Sequence, residues 1–174
     1  MLFRRAEARD LDAVTAIYNR IHEGERLGRT TIGWIQGVYP VRATAEGALS
    51  RGELFVGEED GTVFGSAILN HTQVDVYAQG SWAVTCSDDK VLVMHTLTID
   101  PDRSRSGLGK AFLAFYEQYA RSLGCADLRI DTNATNSIAR RLYAGLGYHE
   151  VGMAPCTFNG IPGINLMLLE KPLV

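Results

Sequence analysis

The chain has 174 residues and a net charge of -3, with 17 Lys and Arg against 20 Asp and Glu. A hydrophobic share of 46% with 21% charged residues excludes a disordered chain and fits one domain, 1–174, that buries about 70% of the surface of its unfolded form. The acidic balance leaves no global basic field for nucleic acid, so any polyanion site has to be a local cluster.

The first residues, Met1 to Ala8, carry Arg4, Arg5 and Glu7 and so do not resemble a signal peptide. No stretch approaches the roughly 18 apolar residues of a membrane span, and a cytoplasmic location is expected. Leu2 to Ala6 is a short first strand. Asp10 is expected to cap a helix that runs to Ile21, with Leu11, Val14, Ile17, Tyr18 and Ile21 on one stripe. The pattern breaks from Gly24 to Pro40, a loop with a short helix that contains Trp34 and Tyr39, and a further short helix spans Ala43 to Ser50. Glu53–Glu58 and Thr62–Leu69 form a hairpin across Asp60-Gly61. A smaller hairpin is expected from Val74–Tyr77 and Ser81–Thr85 across Gln79-Gly80.

Val91 to Ile99 is a strand of nine mostly apolar or β-branched residues. Gly107 to Leu123 is a helix, with Leu108, Ala111, Phe112, Phe115 and Tyr119 at helical spacing and Gly124 at its end. Leu128–Thr132 is a strand, Ser137–Leu146 a helix closed by Gly147, and Asn165–Glu170 the last strand. The element order is mixed and predicts an α+β fold rather than a doubly wound sheet. Three cysteines, Cys86, Cys125 and Cys156, form no close pair, and the four histidines lie far apart, so neither a disulfide framework nor a metal site is expected.

The segment Arg103-Ser104-Arg105-Ser106-Gly107-Leu108-Gly109-Lys110 joins the clearest strand to the clearest helix. Glycines allow a sharp turn and a close approach of backbone to ligand, and successive N–H groups at a helix start attract an anion. Arg103, Arg105 and Lys110 add positive charge. A mononucleotide P-loop is excluded, since Ser104 and Ala111 stand where it requires Gly and Ser or Thr; Phe112 likewise breaks the dinucleotide fingerprint. A local anion site and an ordinary solvated helix start both fit these residues.

Leu97-Thr98-Ile99-Asp100-Pro101, followed by Gly107-Leu108-Gly109-Lys110-Ala111, resembles the acyl-CoA-binding motif of the GNAT superfamily of N-acetyltransferases. Asn136, Ala139, Tyr143 and Gly147-Tyr148 resemble its second motif, in the same order and at the usual separation. The resemblance is close from Val91 to Val151 and loose before it. The family usually has Arg or Gln where this chain has Ser104, between Arg103 and Arg105.

The resemblance implies a mixed, mostly antiparallel sheet flanked by helices, with strands splayed at an acyl-CoA site. It implies acetyl-CoA as co-substrate, with Leu97, Thr98 and Ile99 along the pantetheine, the Leu97 N–H on the thioester carbonyl, and Arg105, Ser106, Gly107, Leu108, Gly109 and Lys110 around the pyrophosphate. Asn136 is expected to touch the cofactor arm, to cap the next helix, or both. The implied reaction moves an acetyl group directly to a primary amine of a small molecule, amino acid or peptide. In it Tyr143 is the acid for the departing thiolate, or else a core residue, and His95 is the base, or else a buried structural histidine. Trp34, Tyr39 and Trp82 are weaker candidates for the acceptor pocket, with Glu23 and Glu25 as groups that favour a cationic amine. A non-catalytic acyl-CoA sensor is the alternative. Domains of this family often pair, so a homodimer is one expectation; no nucleic acid or membrane partner is expected.

Overall fold

The computed structural model describes residues 1–103 and 107–173. The elements are β1 (Leu2–Arg5), α1 (Leu11–Arg26), α2 (Arg42–Ser50), β2 (Leu54–Glu59), β3 (Thr62–Asn70), β4 (Val91–Ile99), α3 (Leu108–Ser122), β5 (Asp127–Asn133), α4 (Ser137–Ala144), β6 (His149–Phe158) and β7 (Ile161–Pro172). The strands form one seven-stranded sheet in the order β1-β2-β3-β4-β5-β7-β6. Every neighbouring pair is antiparallel except β4 and β5, which α3 connects in parallel. This is the expected α+β class. No helix among the described residues is long and apolar enough to cross a membrane.

Side-chain parity along the strands sets the layers. On one face Phe55, Leu92, Met94, Leu128, Ile130 and Leu169 pack with Phe112, Leu113 and Tyr116 of α3 and Tyr143 of α4. Full burial of each large apolar side chain here contributes roughly 1.5–3 kcal/mol. On the other face α1 and α2 cover Leu54, Val56 and Ile68 through Val14, Tyr18, Ala45 and Ala48. Further along that face Val91, Val93, Leu166 and Leu168 lie under Tyr77 and Trp82, from the segment that precedes β4.

Several local differences from the sequence expectation have clear causes. Asp10 does not cap α1: its carboxylate accepts from the Arg4 guanidinium at 2.6 and 2.9 Å and from the Glu7 N–H at 2.7 Å. The helix runs on to Arg26, and no helix follows it before Arg42. The expected Val74–Thr85 hairpin is a 3-10 turn over Asp75–Gln79 followed by extended chain. Its backbone is held by side chains instead: the Glu170 carboxylate accepts from the Ala83 and Val84 N–H groups, and Arg129 donates to the Val84 carbonyl. The last strand pairs with a strand that sequence periodicity did not reveal, β6, across the turn Asn159-Gly160.

Candidate active site

The central pair of strands is only partly zipped. β4 and β5 pair from Val91↔Asp127 to Met94↔Ile130 and then part, β4 staying with β3 and β5 with β7. At the same point β4 bulges: Ser66 and Ile68 of β3 face Thr98 and His95, so Ala67 alone opposes Thr96 and Leu97. Thr96 sits in the bulge at φ 53°, a conformation that a β-branched residue rarely adopts. Its hydroxyl is held by a short hydrogen bond with the Tyr39 hydroxyl.

A cavity of about 540 Å³ opens where the strands part. His95, Leu97 and Ile99 of β4, Gly109 of α3, Asn136, and Tyr143 of α4 all line it, as do Trp34 and Tyr39 from the loop before α2. One cavity therefore gathers both candidate catalytic residues and several of the candidate binding residues singled out in sequence. The segment from Thr30 to Trp34 closes one side. Glu25 organises this segment: its Oε1 accepts from the Thr30 hydroxyl and the Ile32 N–H, and its Oε2 from the Gly33 N–H. Glu25 is thus spent inside the protein, and Glu23 pairs with Arg26 on the surface.

His95 is fixed through Asn70. The Asn70 Oδ1 accepts from the Thr72 N–H at 2.9 Å while its amide nitrogen donates to Glu53, so the 3.0 Å contact from Oδ1 to His95 Nε2 requires Nε2 to carry the proton. Nδ1 is left as the basic nitrogen. Burial holds the imidazole below its ordinary value, opposed by the Thr72 backbone and the Glu53 charge. Tyr143 is 5% exposed, and burial, with a contribution from the Asp131 charge, pushes its phenol well above the ordinary value.

At the other end of the cavity Gly107 opens α3 at φ 81°. The Ala111 N–H bonds to the Gly107 carbonyl at 3.0 Å, the first bond of the helix among the described residues. A Cβ on Gly107 would meet no described atom within 4 Å. A helix start that carries the exposed Lys110, next to a strand gap, fits a phosphate and an extended arm, which is the shape of acetyl-CoA. Arg103 is turned to Glu59. Lys110 is exposed. Arg105 and Ser106 lie outside the described residues.

Other candidates sit elsewhere. The Leu108 side chain is in the core, and the Thr98 hydroxyl bonds to Ser66 Oγ at 2.8 Å within the sheet. Trp82 does not line the cavity: it packs on Tyr77, donates to the Tyr77 carbonyl and lies 3.9 Å from the Arg129 guanidinium. Asn136 caps α4, accepting from the Ala139 N–H at 3.2 Å. Among the described residues no cysteine lines the cavity and no group of acids, histidines and cysteines is placed for a metal.

Sequence reasoning missed Asp131. It lies on β5 just past the last residue paired with β4, lines the cavity, and accepts from the Tyr77 hydroxyl at 2.8 Å. Burial raises its carboxyl to about 6. The signal available was position, an acid on a central strand of opposite parity to the buried Ile130.

The fold, with its split central sheet, is that of the solved GNAT-family structures. The profile of the Acetyltransferase (GNAT) family matches residues 13–148, and the chain belongs to that family. An aminoglycoside N(6')-acetyltransferase type 1 of Klebsiella aerogenes is 29% identical over 75 residues, 43% of this chain and 49% of that protein. The ribosomal protein bS18-alanine N-acetyltransferase of Escherichia coli K12 is 29% identical over 86 residues, 49% of this chain and 58% of that protein. The chain thus spans about half the length of these curated relatives. A GNAT-family acetyltransferase of Streptococcus agalactiae superposes with a TM-score of 0.83 at 22% identity, covering 99% of this chain and 95% of that one. A Salmonella typhimurium protein solved with its cofactor acetyl-CoA gives 0.66 at 21% identity, with 99% and 94% covered.

Proposed function

We propose that the protein moves the acetyl group of acetyl-CoA directly to a primary amine of a small molecule, amino acid or peptide, with no covalent enzyme intermediate. The observation that carries this reading is the convergence of His95, Leu97 and Tyr143 on one cavity at the strand gap. The curated relatives named above are amine acetyltransferases, which supports an amine acceptor.

When bound, acetyl-CoA supplies a thioester carbonyl that an amine attacks. Leu97 and Ile99, past the last β5 partner, offer backbone groups to the pantetheine as an added strand would receive them. The Leu97 N–H polarises the thioester carbonyl. The first amides of α3 hold the pyrophosphate with Lys110, and Arg105 and Ser106, just before α3 in the sequence, complete the set. Asn136 holds its helix cap and presents its amide to the cofactor arm. A free amine of pKa near 10 arrives mostly protonated. His95, neutral at physiological pH and tethered at Nε2, takes the proton at Nδ1. Tyr143 stays protonated throughout this range and gives its proton to the thiolate as the carbon–sulfur bond breaks.

The test is release of CoA thiol from acetyl-CoA across a panel of amines and amino acids. Tyr143→Phe is expected to slow the release roughly 10- to 1000-fold, the scale of general acid catalysis, with calorimetric affinity for CoA little changed. A variant as fast as the parent removes Tyr143 from the mechanism. Tight acetyl-CoA binding without release for any amine would favour the sensor.

A further inference from the structure

Most deeply placed acids in this protein have a cation. Asp10 pairs with Arg4 at 2.6 Å, Asp100 with Arg20 at 2.8 Å, and Asp127 with Arg129 at 2.8 Å. Asp131 has none among the described residues: its Oδ2 accepts from the neutral Tyr77 hydroxyl, and its Oδ1 makes no hydrogen bond there. A carboxylate taken from water without a positive partner is costly unless something supplies one.

The surroundings show where that partner comes from. Among the described residues that line the cavity Asp131 is the sole acid, and Arg51, exposed and paired with Glu53, is the sole Lys or Arg. Val91 and Val93 pack under Tyr77, and His95 follows them on the same face before the bulge. Tyr77 also binds Asp131, so His95 and Asp131 belong to the same face of the sheet, opposite α3. Trp34, Tyr39, Phe158 and Ile164 give the cavity apolar walls.

We infer that the acceptor is a monoamine that docks as its ammonium ion on the Asp131 carboxylate, with an apolar or aromatic stem against Trp34, Tyr39 and Phe158. This rests on the acetyl-transfer reading and narrows its substrate class. One acid matches one positive charge. A polyamine or an aminoglycoside brings further ammonium groups to walls that hold no second carboxylate, and an amino acid brings its own carboxylate beside Asp131. The ammonium then gives one proton to His95, which becomes an imidazolium; the neutral nitrogen bonds to the acetyl carbon as the carbon–sulfur bond breaks, Tyr143 protonates the leaving thiolate, and the second proton shed by the nitrogen restores the Tyr143 phenol. Asp131 is a binding and specificity residue in this scheme, and the proton does not pass through it.

The test pairs calorimetry with kinetics on the CoA-bound protein, comparing wild type, Asp131→Asn and Asp131→Glu. Phenethylamine, benzylamine and tyramine are set against their alcohol counterparts, with spermidine, kanamycin and alanine as further arms. Wild type should bind the best monoamine about 10- to 100-fold more tightly than its alcohol, the scale of a charge-assisted hydrogen bond. Asp131→Asn should abolish that preference and raise KM for the monoamine by a similar factor while KM for acetyl-CoA stays put. Asp131→Glu, which keeps the charge, should recover part of it. The proposal is overturned if no monoamine outbinds its alcohol, if Asp131→Asn keeps the preference, if the variant lowers kcat alone, or if a polyamine or alanine is the best acceptor. Asp131-dependent amine binding without thiol release would refute acetyl transfer and keep the ammonium site. Thiol release indifferent to position 131 would do the reverse.

Discussion

Replacing Asp131 by Asn should stabilise the fold at neutral pH. Asn has nearly the same shape, and its Oδ1 still accepts from the Tyr77 hydroxyl. What disappears is the ionised carboxylate. In the unfolded chain the carboxyl releases its proton near 3.8, whereas in the fold burial holds it to about 6. Between those values the folded state keeps a proton that the unfolded state has lost, so stability falls as pH rises from 4 to 6. At roughly 1.4 kcal/mol per tenfold in proton affinity, the ionised form costs the fold at most about 3 kcal/mol above pH 7. Asp131 keeps some exposure, and a hydroxyl bonds more weakly to an amide than to a carboxylate, which brings the expected gain to about 1–2 kcal/mol. That is a rise in Tm of roughly 2–8 °C for a domain of this size. Urea denaturation of both proteins from pH 4.5 to 8 measures it. Asp127, also raised to about 6 by burial, titrates in both proteins and drops out of the difference. The gain should shrink toward pH 4.5. A wild type that is the more stable protein at pH 8, or a gap that does not change with pH, would refute the reasoning.

Other parts of the site give separate tests. His95→Ala should displace the acid limb of the pH–rate profile to higher pH, since burial holds the native imidazole low; an unchanged profile clears His95 of the base role. Glu25→Ala removes three hydrogen bonds to Thr30, Ile32 and Gly33, and should lower kcat/KM for the amine at least about 10-fold while KM for acetyl-CoA holds, the scale of a lost charged hydrogen bond. Tyr148→Phe should be neutral or stabilising by about 1 kcal/mol in urea denaturation, because the hydroxyl is buried without a hydrogen-bond partner among the described residues. A clear loss of stability there would show that the hydroxyl is satisfied.

How far the sequence could be read depended on where each element's partners lie. β4 was legible to the residue, from Val91 to Ile99, because a run buried on both faces needs a continuous apolar signal. α3 and α4 were legible from periodicity and their closing glycines. β6 was not, being an edge strand with Gly152, Pro155 and mixed burial. Its turn had a local signal that was passed over: Asn159-Gly160, both at positive φ, is a favoured two-residue hairpin turn. The segment from Val74 to Thr85 was misassigned because its backbone is held by Glu170 and Arg129, far away in sequence. His95 and Tyr143 were found because they fall in motifs. Asp131 and the Thr96 bulge were not, since burial and strand register are tertiary properties that no local window carries.

The four rungs that join β4 to β5 also have a mechanical meaning. They leave the middle of the sheet joined by a short seam, with β1–β4 as one plate and β5, β6 and β7 as another. A guest lying in the slot with amides spaced like a peptide would finish the ladder and bridge the plates. The donor molecule would then be a temporary structural beam as well as a reagent, and each turnover would slacken the protein that it had stiffened.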